Sequence, residues 1–392
     1  MRVVDVNDLY SPTGGGVRTY IDRKFSIMAD LGHELTVIAP GRHDHVEERP
    51  GGGRIYWLRS PRLILDTNYR LLWGVKAIRR LLDELQPDVV ETCTPWWPAL
   101  AIRNWQGSAA KVYFAHNDNL NAYPHNWFGG FASHRQIERF FLWYTRWMKM
   151  MLAPYDAFLT NGPTLAKSFS ARGFHVDAAM PLGIEKGYFS PDLRDERLRE
   201  ALLAQCGLPK EAHLLLGLGR HHNEKRWPMV IDAVEAAGAS IPVGLVMFGD
   251  GPARARMEAR IEGSPHIKLF RPVYDRHRLA QIVASCDALV HGSSNEPFGL
   301  VAHEALASGL PLIVPDRGGC SEIADPLYAE TYRAGDGHAC AAAILRMCVR
   351  EPAILRAAAR HAAARTRTDR DHAIELMEFY ARLAEARRAR AA

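Results

Sequence analysis

Arg2-Val-Val-Asp-Val6, then Pro12 and Gly14-Gly15-Gly16, then Val17, Tyr20, Ile21, Phe25 and Met28 at helical spacing, then Gly32 and His33-Glu-Leu-Thr-Val-Ile-Ala39: this opening stretch decides the fold. A β-branched run, a glycine turn, an amphipathic helix and a second β-branched run make one βαβ unit with a parallel strand pair. Strand-like runs at 54–58, 88–92, 111–115 and 156–160, with helical stretches between them, extend the unit into a doubly wound α/β domain. Pro181-Leu-Gly-Ile-Glu-Lys-Gly-Tyr-Phe-Ser-Pro191 interrupts the pattern and reads as a connector. A second series follows, with strands Leu214–Gly219, Val243–Phe248, Lys268–Phe270, Ala288–His291 and Pro311–Pro315. Helices are expected at Pro228–Ala237, 253–262 and Phe298–Ser308. The expected class is α/β, with two Rossmann-like halves.

Composition fits two or three domains. The chain has 392 residues, 47% hydrophobic and 24% charged, ordinary values for a globular protein. Its 31 Gly and 23 Pro are scattered, which excludes collagen-like and largely disordered chains. The net charge of +5 suits an anionic substrate or membrane surface, and no nucleic-acid partner is expected. Cys93, Cys206, Cys286, Cys320, Cys340 and Cys348 lie far apart without a C-x-x-C pair. That argues against a zinc site or a disulfide framework and fits a reducing compartment. The N-terminus lacks the long apolar run of a signal peptide, and no run is long enough to span a bilayer, so a cytoplasmic location is expected.

Four constellations carry candidate chemistry. Gly15 and Gly16 open a helix, where backbone N–H groups can hold a phosphate; an ordinary tight turn explains the same residues. Arg220 and Lys225 follow a strand, a forked donor and a point charge suited to a diphosphate; a solvated charge cluster is the bland alternative. Glu296 precedes a helix and Glu304 lies two turns inside it, with Phe298, Gly299 and Leu300 offering N–H donors between them. Two carboxylates so placed can accept sugar and ribose hydroxyls. His116 ends the strand 111–115, where α/β folds bind ligands. His43-Asp-His45 has no third ligand evident, and Asp369-Arg-Asp371 reads as a helix cap.

Together these residues resemble the family 4 glycosyltransferases, which have the GT-B fold. Ser11-Pro-Thr-Gly-Gly-Gly-Val-Arg-Thr-Tyr20 is similar to the family's N-terminal glycine loop, and 181–191 to its interdomain connector. Gly219-Arg220 with Glu224-Lys225 matches the diphosphate segment, and Phe248-Gly249-Asp250-Gly-Pro252 the turn beside the base. The most specific match runs from Ser294-Asn-Glu296 through Glu304 to Ala307-Ser-Gly-Leu-Pro311, with seven residues between the acids. His221-His222, Arg226 (where the family usually has Gly) and His116-Asn-Asp-Asn119 depart from the pattern.

The resemblance implies an acceptor-binding domain over 1–182, rejoined by a C-terminal helix at 371–392, and a nucleotide-sugar domain over 183–370, facing across a cleft. It implies a retaining, metal-independent transfer of a hexosyl group from a UDP- or GDP-linked sugar to a lipid or glycan, with no cofactor. Arg220 and Lys225 would hold the diphosphate, Glu304 the ribose, Glu296 the sugar, and His116 a group near the reacting carbon. Gly15, Gly16, Gly249, Asp250, Phe298, Gly299 and Leu300 would complete the donor site. An epimerase or phosphorylase on the same fold, or a non-catalytic subunit, are the alternatives.

The segment 135–152 has two readings. Ile137, Phe140, Phe141, Tyr144, Trp147, Met148 and Met151 form an apolar face at helical spacing, with Arg135, Arg139, Arg146 and Lys149 opposite. A core helix explains that face. A helix lying on the inner membrane surface also explains Leu142 and Trp143 among the cations.

Overall fold

Parallel strands buried on both faces read as unbroken apolar runs, and the stretches 214–218 and Val243–Phe248 do. The computed structural model describes residues 1–11, 16–63, 69–118, 120, 133–185 and 187–391. The expected turn at 12–15, Asn119 and Lys186 lie outside the described residues. Two compact units result: Met1–Gly183 with Asp369–Ala392, and Ile184–Thr368.

Unit 1 contains strands β1 (Arg2–Val6), β2 (Glu34–Gly41), β3 (His45–Glu48), β4 (Arg54–Arg59), β5 (Val89–Thr92), β6 (Ala110–Ala115), β7 (Ala157–Thr160) and β8 (Ala178–Ala179). Their order is β3-β4-β2-β1-β5-β6-β7-β8, parallel except for the β3–β4 pair. Unit 2 contains β9 (His213–Leu218), β10 (Val243–Phe248), β11 (Ile267–Phe270), β12 (Ala288–Val290), β13 (Leu312–Pro315) and β14 (Ala329–Tyr332), all parallel in the order β11-β10-β9-β12-β13-β14. Strand alternation builds both cores of unit 2. Val246 and Phe248 join Leu214 and Leu216 on one face, while Leu245 and Met247 join Leu215 and Trp227 on the other.

In both units the direction of winding reverses beside the first strand, between β1 and β5 and between β9 and β12. Loops diverge at such a switch point and leave a crevice at the strands' carboxyl ends.

Several local expectations change. His45 opens the edge strand β3 and stacks on Trp57 (centroids 5.8 Å, planes 10° apart), so the His43-Asp-His45 segment runs into the sheet. The single helix expected over 137–152 is two, His134–Phe140 and Leu142–Leu152, because Phe141 (φ −93°, ψ 16°) leaves helical geometry. Phe140, expected on the buried face, is 72% exposed, since the break rotates it outward. The helix expected from Phe298 begins at Leu300, after Gly299 in the left-handed region (φ 79°).

The helix Asp369–Ala391 belongs to unit 1. It buries Ala373, Leu376, Met377, Tyr380 and Ala384, whereas Ile374 is exposed. Asp369 pairs with Arg23 at 3.2 Å, so it ties two helices together rather than only capping one. His372 donates from Nδ1 to the Pro181 carbonyl (3.0 Å) and accepts the Tyr20 hydroxyl at Nε2 (3.1 Å).

Candidate active site at the switch point of unit 2

The loop after β9 carries Arg220 and Lys225, and the loop after β12 carries Glu296. The strand order makes these loops neighbours. Lys225 ends the short helical turn Asn223–Lys225, is buried, and forms an ion pair with Glu296. Burial pushes the Lys225 ammonium down from the ordinary lysine range, while Glu224 opposes that shift. Arg226 sits in the left-handed region (φ 51°, ψ 35°), a conformation that costs a non-glycine residue about 1 kcal/mol. That geometry explains why glycine suits this position.

Arg220 behaves differently. Its side chain is 56% exposed and reaches back to Glu224 at 3.0 Å. The two cations expected as equals are therefore one buried, paired ammonium and one solvated guanidinium.

Gly249 and Asp250 lock the first loop. A Cβ on Gly249 would stand 2.0 Å from the Gly219 carbonyl oxygen, so only glycine permits the approach. The His221 N–H donates to the Asp250 carbonyl at 2.8 Å. The Asp250 carboxylate accepts the Gly251 N–H at 2.9 Å and the Arg271 guanidinium at 2.6 Å. The Gly251 bond and then Arg271 hold that carboxyl below its usual range.

Glu296 is fixed at its backbone, where its carbonyl accepts the Gly319 N–H at 2.6 Å. Phe298 is buried and stacks on His303 (centroids 4.0 Å, planes 14° apart), and His303 Nδ1 donates to the Gly299 carbonyl at 3.1 Å. Gly299 is needed twice, for its positive φ and because a Cβ would stand 2.6 Å from Cys320 Sγ. Leu300 starts the helix Leu300–Ala307, and Glu304 lies half-buried on its second turn. Unit 2 thus brings together Lys225 and Glu296, and separately Gly249 and Asp250.

The other candidates belong to unit 1. Gly16 is the first residue of the helix Gly16–Asp30, and Gly15 lies outside the described residues. His116 packs against Tyr20 (5.0 Å) and Phe114 (4.5 Å), and burial with Lys24 nearby pushes it down to about 3. Its imidazole is therefore neutral at physiological pH.

Sequence reasoning did not single out His291, His303 or the Gly318-Gly319 pair. Their signal was present: a histidine at a strand's carboxyl end, a histidine beside Glu304, and paired glycines after β13. Among the described residues, no group of three or more His, Cys, Asp or Glu side chains is arranged to hold a metal ion.

Residues 14–179 match the family model described as Glycosyltransferase Family 4, and residues 199–363 the model described as Glycosyl transferases group 1. A GDP-mannose-dependent alpha-(1-6)-phosphatidylinositol dimannoside mannosyltransferase of Mycobacterium tuberculosis is 30% identical over 330 residues, covering 82% of this chain and 81% of that protein. A GDP-mannose-dependent alpha-mannosyltransferase of the same organism is 28% identical over 331 residues, with 83% and 82% covered. Among solved structures, sucrose-phosphate synthase from Thermosynechococcus elongatus has a TM-score of 0.77 at 18% identity, covering 98% of this chain and 100% of that one. A glycosyltransferase from Rickettsia africae has a TM-score of 0.72 at 16% identity, with 97% and 98% covered. At such identities the structural likeness speaks to the fold alone.

Proposed function

This chain belongs to glycosyltransferase family 4, and we propose that it moves a mannosyl group from GDP-mannose to a phosphatidylinositol-linked mannoside, with retention of configuration and without a metal ion. The observation that carries this reading is the buried Lys225 paired with Glu296 at the switch point of unit 2. The choice of guanine, mannose and lipid follows the mycobacterial relatives, which cover four-fifths of the chain. The stereochemistry follows the family resemblance.

The chemistry requires a nucleoside diphosphate to leave as an anion. Lys225 stabilises that charge where water is scarce and charge–charge interactions are strong. Arg220 adds a forked donor from the solvent side. Glu304 accepts ribose hydroxyls, and Glu296 accepts hydroxyls of the sugar. Gly249 and Asp250 shape the wall beside the base. Neutral His116 is kept as a hydrogen-bonding group on unit 1, with Gly16 as an N–H donor there.

A thermal-shift panel of GDP, GDP-mannose, UDP and UDP-glucose tests the donor. GDP and GDP-mannose are expected to raise the melting temperature most, since a ligand at 100 times its Kd stabilises by about 2.7 kcal/mol. A shift with the uridine ligands alone would reject the guanine assignment. Turnover of GDP-mannose is expected to persist in excess EDTA. Loss restored by magnesium or manganese would remove the metal-free part.

The acceptor reading rests on the surface of 135–152. Phe140, Leu142 (46%), Trp143 (57%) and Met150 (52%) are exposed alongside the exposed cations Arg135, Arg139, Arg146 and Lys149. Exposed Trp96 extends the aromatic patch by packing on Trp147 (4.8 Å). Tyr144, Met148, Met151 and Leu152 are buried, so a core role accounts for one face only. Aromatics beside cations suit the headgroup region of an anionic membrane, where each Lys or Arg contributes about 1 kcal/mol. Among the described residues no helix is long and apolar enough to cross a membrane. Sedimentation with phosphatidylinositol-containing liposomes is expected to pellet the protein at low salt and release it at high salt. A Leu142→Ser/Trp143→Ser double mutant should stay in solution. Wild-type protein left in the supernatant at low salt would favour a water-soluble acceptor.

A further inference from the structure

His291 is the first residue past β12 and is 1% exposed. Its backbone is clamped on both sides. The N–H donates to the Ile313 carbonyl at 2.9 Å, and the carbonyl accepts the Tyr332 hydroxyl at 2.5 Å. The Trp227 indole lies edge-on to the imidazole, with planes 86° apart. The next residue, Gly292, brings this strand end against the lysine loop, since a Cβ there would stand 2.4 Å from the Lys225 carbonyl oxygen.

Among the described residues, neither ring nitrogen of His291 has a hydrogen-bond partner. A buried polar group left unpaired is costly and calls for a reason. The reason is nearby: Nε2 stands 3.9 Å from Glu296 Oε1, the oxygen that Lys225 holds. Burial, reinforced by the Lys225 ammonium, pushes the imidazole down to about 3. It is therefore a neutral ring with one N–H to give.

Building on the donor reading above, Lys225 faces two anions in turn. When a diphosphate draws the ammonium, Glu296 is left ionised beside a second negative charge. We propose that His291 is a positioning residue that takes over Glu296 at that moment, donating Nε2–H across the present 3.9 Å gap and holding the carboxylate toward the donor sugar. A neutral donor suits the handover because it adds no cation to compete with Lys225 for the diphosphate. No bond is made or broken; the step exchanges one hydrogen-bond partner for another.

The test uses the full chain with His291→Phe, which keeps a flat ring but no donor, and His291→Gln, which restores an N–H. GDP affinity is measured by calorimetry. The kcat and KM are measured with GDP-mannose and phosphatidylinositol dimannoside in detergent micelles. His291→Phe is expected to leave the Kd for GDP within about twofold while kcat falls roughly tenfold to a hundredfold, the worth of one hydrogen bond to a charged group. His291→Gln is expected to regain most of that loss. The proposal is overturned if His291→Phe keeps its kcat, if GDP affinity falls in proportion to kcat, or if His291→Gln is no better than His291→Phe. Wild-type protein that binds no GDP would fail earlier, and that result would sink the donor reading itself.

Discussion

Lys225→Ala is expected to lower turnover by roughly two to three orders of magnitude at saturating donor, comparable to the loss of one oxyanion-hole donor. The size follows from burial. An exposed cation is screened by water, whereas Lys225 is buried, where the charge of the proposed diphosphate would be screened far less. Arg220→Ala should cost less, because its guanidinium is 56% exposed and already shared with Glu224. The two glutamates should separate by observable. Glu304→Gln is expected to weaken binding of free GDP, which carries the ribose. Glu296→Gln should lower kcat with little change in GDP affinity, because GDP lacks the sugar proposed for Glu296 above. Steady-state kinetics and calorimetry on the four variants check the division. Near-wild-type turnover of Lys225→Ala would remove the diphosphate assignment. Equal losses of GDP affinity in both glutamate variants would reject the separate roles.

Much of this site could be read from local pattern, and what could not be read is non-local. The strands β2, β9 and β10 announce themselves as largely apolar runs beside glycine or proline, and their sequence order already implies parallel sheets. Lys225 and Glu296 were legible as residue types at the carboxyl ends of strands. Their pairing was not, because it depends on β12 lying beside β9 rather than beside β11. Strands β3, β8 and β14 escape notice for a different reason. They are short or at an edge, and Ala178–Ala179 has no β-branched residue at all. The break at Phe141 carries no Gly or Pro, so packing rather than punctuation sets it. His291 looks like any polar residue ending a strand until its burial is known. The buried pair of Lys24 and Glu91 in unit 1 is likewise illegible in local pattern, since the two residues lie 67 apart in sequence.

That buried pair supports the largest expected effect on stability: Lys24→Met should destabilise unit 1 by about 3–5 kcal/mol at pH 7, the usual result of orphaning one member of a buried ion pair. Lys24 on the helix Gly16–Asp30 and Glu91 on β5 are each 3% exposed and form a salt bridge. The Tyr380 hydroxyl from the C-terminal helix donates to the other Glu91 oxygen. Asp5 is the register partner of Glu91 across β1 and β5, so one ammonium serves two neighbouring carboxyls. Burial and the Glu91 charge push Asp5 up to about 8, which keeps it protonated at neutral pH and the cluster close to neutral. Removing Lys24 leaves an ionised, buried Glu91 with no cation to answer it. A triple mutant, Lys24→Met/Glu91→Met/Tyr380→Phe, should recover most of the loss, because an apolar cluster has no charge to desolvate. Tryptophan fluorescence reports the right unit, since eight of the nine tryptophans lie in unit 1 and only Trp227 in unit 2. The pH dependence has a definite sign. Asp5 binds its proton more tightly folded than unfolded, so its contribution is full below about pH 4 and is lost as pH rises toward the folded value. The urea midpoint of the wild-type protein should therefore fall relative to that of Asp5→Asn between pH 5 and pH 8. A triple mutant no more stable than Lys24→Met would show that packing of these side chains, not the unpaired charge, sets the cost.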